Sequence, residues 1–479
     1  MIHFTAKFFD HCAAWLLVVI AGTAPWFAGA QPAISLTGWW YVAGLAGSLV
    51  LVLASCILKR ELLRVPRTVL WPVGFLLGCV AWWATQPDPA FATIFSAEQW
   101  AALKILLPGG FIDTPRGLRL AMAAAVLLGL VSAAHLGADR RFRLILMLIV
   151  GWSGVAVGGY SLCERLLQWD PPTWIIKSDG PERYNAAFFH YSCVAACVNL
   201  AWPLLVFPCR RPIERTTGRL GFWAGVVAVA GTAPLAIALW PTEAAKWIAA
   251  GLALFGGAWY LMDRFTYVSP KIIGGTVIVG FIVLLFVQAL YIQVQRKRYN
   301  DGWRSAAATL VQSPMRDAQM SALAAKRGDR LIPAQGGDRP AGWLATLRMI
   351  ADRPFFGDGP GTRARLLGLY TNQMFVNSFN LHLQFAHHDL LQTAAEWGLL
   401  PLVCWLAVWL TALCACIVDA ANSRAVFLAL LGVALHGLVD FPLQVPGLQM
   451  WTALLLGLAV ASRETLPRPK RVRALQVTN

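Results

Sequence analysis

The chain has 479 residues, 58% of them hydrophobic and only 13% charged, where soluble globular domains carry about 25% charged residues. That balance excludes an ordinary soluble enzyme. The net charge of +16 does not point to nucleic acid, because no compact nucleic-acid-binding motif accompanies it.

Apolar runs such as "GTVIVGFIVLLFVQALYI" at 275–292 reach the length of about 18 residues that reads as a membrane-spanning helix. The predicted fold is all-α: a polytopic integral membrane protein of about twelve spans. They lie near 13–30, 38–58, 68–85, 117–136, 143–163, 186–208, 220–240, 244–262, 272–292, 389–418, 425–442 and 445–462. The segment 86–116 reads as a loop containing an interfacial helix or a further span. "WFAGAQ" at 26–31 has the small-residue spacing of a signal-peptidase site, but the apolar stretch before it is long enough to stay as a span.

Basic residues fall on alternate loops. Lys59, Arg60, Arg64 and Arg67 form one group, Arg140, Arg141 and Arg143 the next, then Arg210, Arg211, Arg215 and Arg219, then Arg264 and Lys271. The tail carries Arg463, Arg468, Lys470, Arg471 and Arg473, while 31–37 has no Lys or Arg. The positive-inside rule then predicts both termini in the cytoplasm, with the basic tail within reach of anionic membrane lipid. The ten cysteines lie in or beside spans and show no CxxC pattern. They read as small core residues.

One segment breaks the pattern. Residues 293–386 are polar and fall on the outer face. Thirteen basic against six acidic side chains leave the segment at +7. Long loops translocate regardless of charge, so this excess suits an anionic ligand. Within it, "RPAGWLATLRMIADRP" predicts a helix with Trp343, Leu344, Leu347 and Ile350 at helical spacing. Asp338 suits its cap, Pro340 its first turn and Pro354 its end. "GDGPG" at 357–361 reads as a turn rather than a phosphate cradle.

Three polar spots mark the outer ends of spans, where ionisable groups are expensive and usually functional. The first holds Arg183 and His190. The second is "AHHDLLQTAAEWG" at 386–398, with His388, Asp389, Gln392, Thr393 and Glu396 on one stripe of a helical wheel. If the helix already runs at 387, His387 lies off that stripe. The third is "LHGLVDFPLQVPG" at 435–447, where His436 and Asp440 are one helical turn apart and suited to pair with each other. His387 is compatible with acid–base chemistry, with a helix cap or, less well, with a metal, since His387 and His388 are adjacent and face different ways.

In this order the three spots resemble the O-antigen ligase and O-antigen polymerase superfamily. "RYNAAFFHYSCVAA" occupies the place of the family's arginine-led stretch that opens a span. "RPAGWLATLRMIADRPFFGDGPGT" resembles its loop motif through Arg339, Trp343, Pro354, Gly357 and Gly359. "AHHDLLQTAAEWGLLP" resembles its histidine motif through Ala386, His387, Leu391, Gln392, Glu396 and Gly398. His388 stands where the family usually has Asn, and Pro401 where it usually has Gly. The resemblance covers about 180–450.

The resemblance implies a GT-C-like membrane glycosyltransferase that uses no cofactor and no metal. Its domains would be N-terminal spans at 1–179, spans opening with Arg183 at 180–292, a periplasmic loop with short helices at 293–388, C-terminal spans at 389–462 and the basic tail at 463–479. It implies transfer of glycan from undecaprenyl pyrophosphate to an acceptor hydroxyl, on the periplasmic side of the bacterial inner membrane. His387 would be the general base, and Arg183 and Arg339 would hold the pyrophosphate. Arg348, Trp343, His388, Gln392, Glu396 and His190 would form the substrate-binding set, with Gln392 and Glu396 supporting the histidine region rather than reacting. The acceptor is expected to be a glycolipid, lipid A-core; a second lipid-linked glycan, as in a polymerase, or a protein Ser or Thr are the alternatives. A transporter or flippase relaying protons is the reading from another class, and a structural scaffold a third.

Overall fold

The computed structural model describes residues 2–27, 35–86, 116–167, 188, 191–206, 243–265, 339–366, 385–418 and 421–461. Among the described residues there is helix and turn and no strand. The helices are α1 (Ile2–Phe27), α2 (Ser35–Lys59), α3 (Arg67–Thr85), α4 (Arg116–Leu136), α5 (Arg140–Leu167), α6 (Tyr191–Val206) and α7 (Glu243–Phe265). Then come α8 (Arg339–Asp352), the single turn α9 (Arg363–Leu366), α10 (Asp389–Trp397), α11 (Leu399–Val418), α12 (Ala421–Gly437) and α13 (Pro446–Ala461).

Six of these helices are long and apolar enough to cross a membrane: α1 to α5 and α11. Four shorter apolar helices fall within α6, α7, α12 and α13. Ten of the twelve expected spans therefore lie on helices, while 220–240 and 272–292 fall outside the described residues, as do 87–115, 28–34, most of the 293–386 loop and the tail.

Two spans need correction. The first helix begins at Ile2 rather than near 13. Its opening turns are held to α2 by a Lys59–Asp10 ion pair and by Ser55 Oγ donating to the Ala6 carbonyl at 3.0 Å. The span expected at 389–418 is two helices, α10 and α11, parted at Gly398.

The bundle is organised around α13. From Gly447 onward every residue but Gln449 is buried, and α13 packs against α1, α4, α11 and α12. Without a hydrophobic drive between helices in lipid, small residues that let backbones approach closely decide the crossings. Gly457 lies so close to α4 that a Cβ there would sit 2.5 Å from the Leu130 carbonyl oxygen. The fully buried Trp451 donates its indole N–H to the Ala21 carbonyl of α1 at 2.7 Å. A second seam joins α5 to α6, where Gly151, Gly154 and Gly158 meet Leu205, Ala201 and Val198.

A separate small core lies beside this bundle. Leu344, Ala345, Met349 and Ile350 of α8 pack with Leu366, Ala394, Ala395 and Leu402. The helix expected around 340–353 is present, with Pro340 in its first turn and its end two residues before Pro354. Leu347, expected on the apolar face, is turned outward, and Met349 fills that face instead.

Candidate active site

The chain reverses between α12 and α13 through a turn and a short 3-10 helix, Pro442–Gln444. Asp440 sits in that reversal. The helix ends at Gly437, and the Asp440 N–H closes it by donating to the His436 carbonyl at 2.8 Å. Its carboxylate turns to another element: Asp440 Oδ1 accepts from His387 Nδ1 at 2.9 Å and from the Phe441 backbone N–H at 3.1 Å. The side-chain hydrogen bond expected between His436 and Asp440 is made instead between His387 and Asp440, both buried, while His436 stays within reach of the Asp440 charge.

His387 precedes α10 rather than lying in it. Its φ of 48° is left-handed, a conformation uncommon outside glycine and sparsely populated residues that cluster at functional sites. Its ring meets the edge of Phe441 at 4.8 Å between centroids, and Phe441 stacks on Phe385 at 4.2 Å. With Nδ1–H donated to a carboxylate, the imidazole is held in the tautomer whose lone pair is on Nε2.

His388 is the N-cap of α10, and its Nδ1 accepts from the Leu391 N–H at 3.4 Å. Burial pushes its imidazole down to about 4, so the ring is neutral, as a cap acceptor requires. Trp343 faces it edge-on at 5.8 Å and donates its indole N–H to the Ala386 carbonyl at 2.6 Å, tying α8 to the histidine segment. Gln392 supports the same segment: its Oε1 accepts from the Ala386 N–H, and its Nε2 donates to Glu396 Oε1.

Asp389 fastens the second side. Its two carboxylate oxygens accept from the Leu443 N–H at 2.9 Å and from Gln444 Nε2 at 3.1 Å. Burial holds its carboxyl well above the usual range, and these two donors pull it part of the way back. Asp389 therefore clamps the reversal that carries Asp440 onto the helix that follows His387.

The far end of α10 is spliced to the 353–361 turn. Asp358 and Gly359 N–H groups donate to the Ala395 and Glu396 carbonyls, and the Leu399 and Leu400 N–H groups donate to the Pro354 and Phe355 carbonyls. Gly398 adopts φ 90°, and a Cβ there would lie 2.2 Å from the Phe355 oxygen. "GDGPG" is a turn whose amides are engaged by helix carbonyls and by Glu396 Oε2, which accepts from Gly361 at 2.8 Å. Burial raises the Glu396 carboxyl, against the pull of the Gly361 N–H, Arg119, Gln392 and Arg363. Arg363 is fully buried, donates from Nε to Thr346 Oγ1 at 2.9 Å, and is pushed down to about 9 by burial.

The structure thus brings together His387, His388, Gln392, Glu396 and Trp343. Arg348, on the same helix as Trp343, is half-buried. Arg339 is the first residue of α8; its side chain lies outside the described set, as do Arg183 and His190. Sequence reasoning missed Arg119 and Arg363, and it assigned Asp389 and Asp440 other places. The "DFP" after a span end was a signal for Asp440. Nothing local marked Arg119, which arrives from α4.

Residues 230–406 match the family model described as O-antigen ligase. No curated protein matches the chain. The matched stretch contains α8, the spliced turn and the His387 segment, whereas Asp440 lies beyond it. This match supports a ligase- or polymerase-type function in surface polysaccharide synthesis for a multi-pass membrane protein. Over these residues, somewhat more than a third of the chain, the sequence is similar to the O-antigen ligase family.

Proposed function

We propose that the chain is a glycosyltransferase that moves glycan from undecaprenyl pyrophosphate to an acceptor hydroxyl, lipid A-core, at the periplasmic face of the bacterial inner membrane. The observation that carries this reading is the buried His387–Asp440 hydrogen bond of 2.9 Å within a chain matching the ligase family. His387 Nε2 takes the acceptor hydroxyl proton. The oxygen then forms a bond to the anomeric carbon as the bond from that carbon to pyrophosphate breaks. The electron pair leaves on the phosphate oxygen, and direct attack inverts the anomeric centre. Asp440 holds the imidazole and stabilises the imidazolium that forms. Arg183 and Arg339 neutralise the departing pyrophosphate, and Arg348 belongs to the substrate-binding set.

The test is transfer in proteoliposomes loaded with the host's lipid-linked glycan and its lipid A-core. Wild type is compared with His387→Asn, Arg339→Ala and Arg183→Ala. Asn tolerates the left-handed backbone at 387, so loss of transfer in a normally inserted His387→Asn protein reports chemistry rather than folding. Transfer by that variant at the wild-type rate refutes the general-base assignment and moves the flippase reading forward. Product analysis names the acceptor.

A further inference from the structure

A groove of about 410 Å³ lies at the end of α3, between Trp82, Trp83 and Gln86 on one side and residues 353–358 on the other. Four aromatic rings converge on it. Trp82 and Phe356 are 5.1 Å apart between ring centroids, Trp82 and Trp83 4.7 Å, and Phe355 stands 63% exposed at the rim. An ion pair closes it, with Arg353 Nε 3.2 Å from Asp358 Oδ1.

A membrane-interface belt sets aromatic rings at headgroup level; here the rings also line one concavity that holds an ion pair. Rings gathered around a concavity with a few fixed polar groups are the make-up of a ligand site. A charged pair inside it disfavours an acyl chain. A saccharide suits it: C–H faces for the rings, and hydroxyls for a carboxylate, a guanidinium and an amide. The groove also has a defined place relative to the histidine. Its wall, the 353–358 turn, is hydrogen-bonded to the last turn of α10, and His387 immediately precedes the cap at the other end. A nine-residue helix is about 13 Å long.

The approach comes from the membrane. Trp71, Phe75, Gly78 and Trp82 share one exposed face of α3, and a Cβ at Gly78 would meet nothing within 4 Å. That face leads along a membrane helix to the groove, a path for the lipid chain of a lipid-linked sugar whose glycan lies at the helix end.

We infer that this groove is a saccharide subsite, distal to His387, that holds the glycan of the lipid-linked donor. The inference rests on the glycan-transfer reading above and adds to it where the donor chain lies. Two readouts keep the two apart, both on the full chain in nanodiscs. The first is calorimetric binding of glycan released by mild acid from the host's lipid-linked pool. The second is steady-state transfer with donor and acceptor varied separately. The variants are Phe356→Ala, Phe355→Ser at an exposed position, and Arg353→Gln, which removes the cation from the buried Asp358 and is therefore read only where its melting temperature matches wild type.

The expected result is weaker binding of released glycan and a donor KM raised about five-fold for each ring removed, the size of one aromatic stacking contact. The acceptor KM stays as in wild type. Released glycan binding all three variants like wild type overturns the subsite. A raised acceptor KM with an unchanged donor KM overturns its assignment to the donor. Wild type that binds released glycan but transfers nothing sinks the catalytic reading and leaves the groove standing.

Discussion

Asp440→Asn is the sharpest probe of the site, because it changes charge and almost nothing else. In the wild type one oxygen, Oδ1, accepts from both His387 Nδ1 and the Phe441 N–H, at 2.9 and 3.1 Å. The Asn oxygen can take over both bonds, so the tautomer and the ring orientation persist. On the proposed general-base role, what disappears is the negative charge that would steady the imidazolium once His387 had taken the proton. A hydrogen bond to a charged group is worth about 1.5–3 kcal/mol and a neutral one about 0.5–1.5. The difference of about 1–2 kcal/mol applies when the charge forms, and it lowers kcat by about 5- to 30-fold. Asp440→Ala should do worse, since it leaves the Phe441 N–H and the imidazole buried without their acceptor. The assay is initial transfer rates in proteoliposomes at saturating donor and acceptor, with insertion checked separately. Equal kcat for Asp440→Asn and wild type would refute the argument, and so would a change confined to KM.

Three further outcomes follow from the packing. His388 is depressed to about 4 from 6.5, so the unfolded chain takes up its proton first; the contribution is complete above pH 6.5 and drains as pH falls towards 4. The fall amounts to about 3 kcal/mol at most, and His388→Asn, which caps without titrating, should lack it; parallel unfolding-versus-pH curves for the two proteins would contradict this. Gly398→Ala forces a Cβ to 2.2 Å from the Phe355 oxygen at φ 90°. It should lower thermal stability, with about 1–3 kcal/mol from the backbone alone, and an unchanged melting temperature would show that the splice is dispensable. Gly457→Leu should break the α13–α4 seam, where even a Cβ would approach Leu130 O to 2.5 Å; overpacking of this kind costs about 1–3 kcal/mol. Retention of the wild-type melting point in detergent would show that the seam relaxes.

The membrane helices were legible because span length is set by the bilayer and written in runs of apolar residues. The break at Gly398 was not legible. Leu399 and Leu400 continue the apolar run, and the interruption is imposed by the Pro354 and Phe355 carbonyls, some 45 residues earlier in the chain. The histidine motif was legible as chemistry, but its partner was misread. His436 and Asp440 keep their helical spacing, down to a backbone bond between them, but the Asp440 carboxylate is taken by His387, 53 residues earlier in the chain. Asp389 was placed on a polar stripe with no stated task, since its partners, Leu443 and Gln444, lie in the next reversal. In each case a residue was visible and its long-range contact was not.

The burial of α13 bears on how the chain is made. Helix α1 is synthesised well before α13, yet the carbonyl of its Ala21 is matched by an indole 430 positions later. Helices α1 and α4 precede α13 in the chain by more than 300 residues, so they enter the bilayer with the surface meant for α13 still open. Helix α13, nearly all of it buried, therefore has to slide between partners already in place. A nascent chain stopped before residue 446 would keep an unfilled gap at its centre, ready to be recognised by membrane quality control.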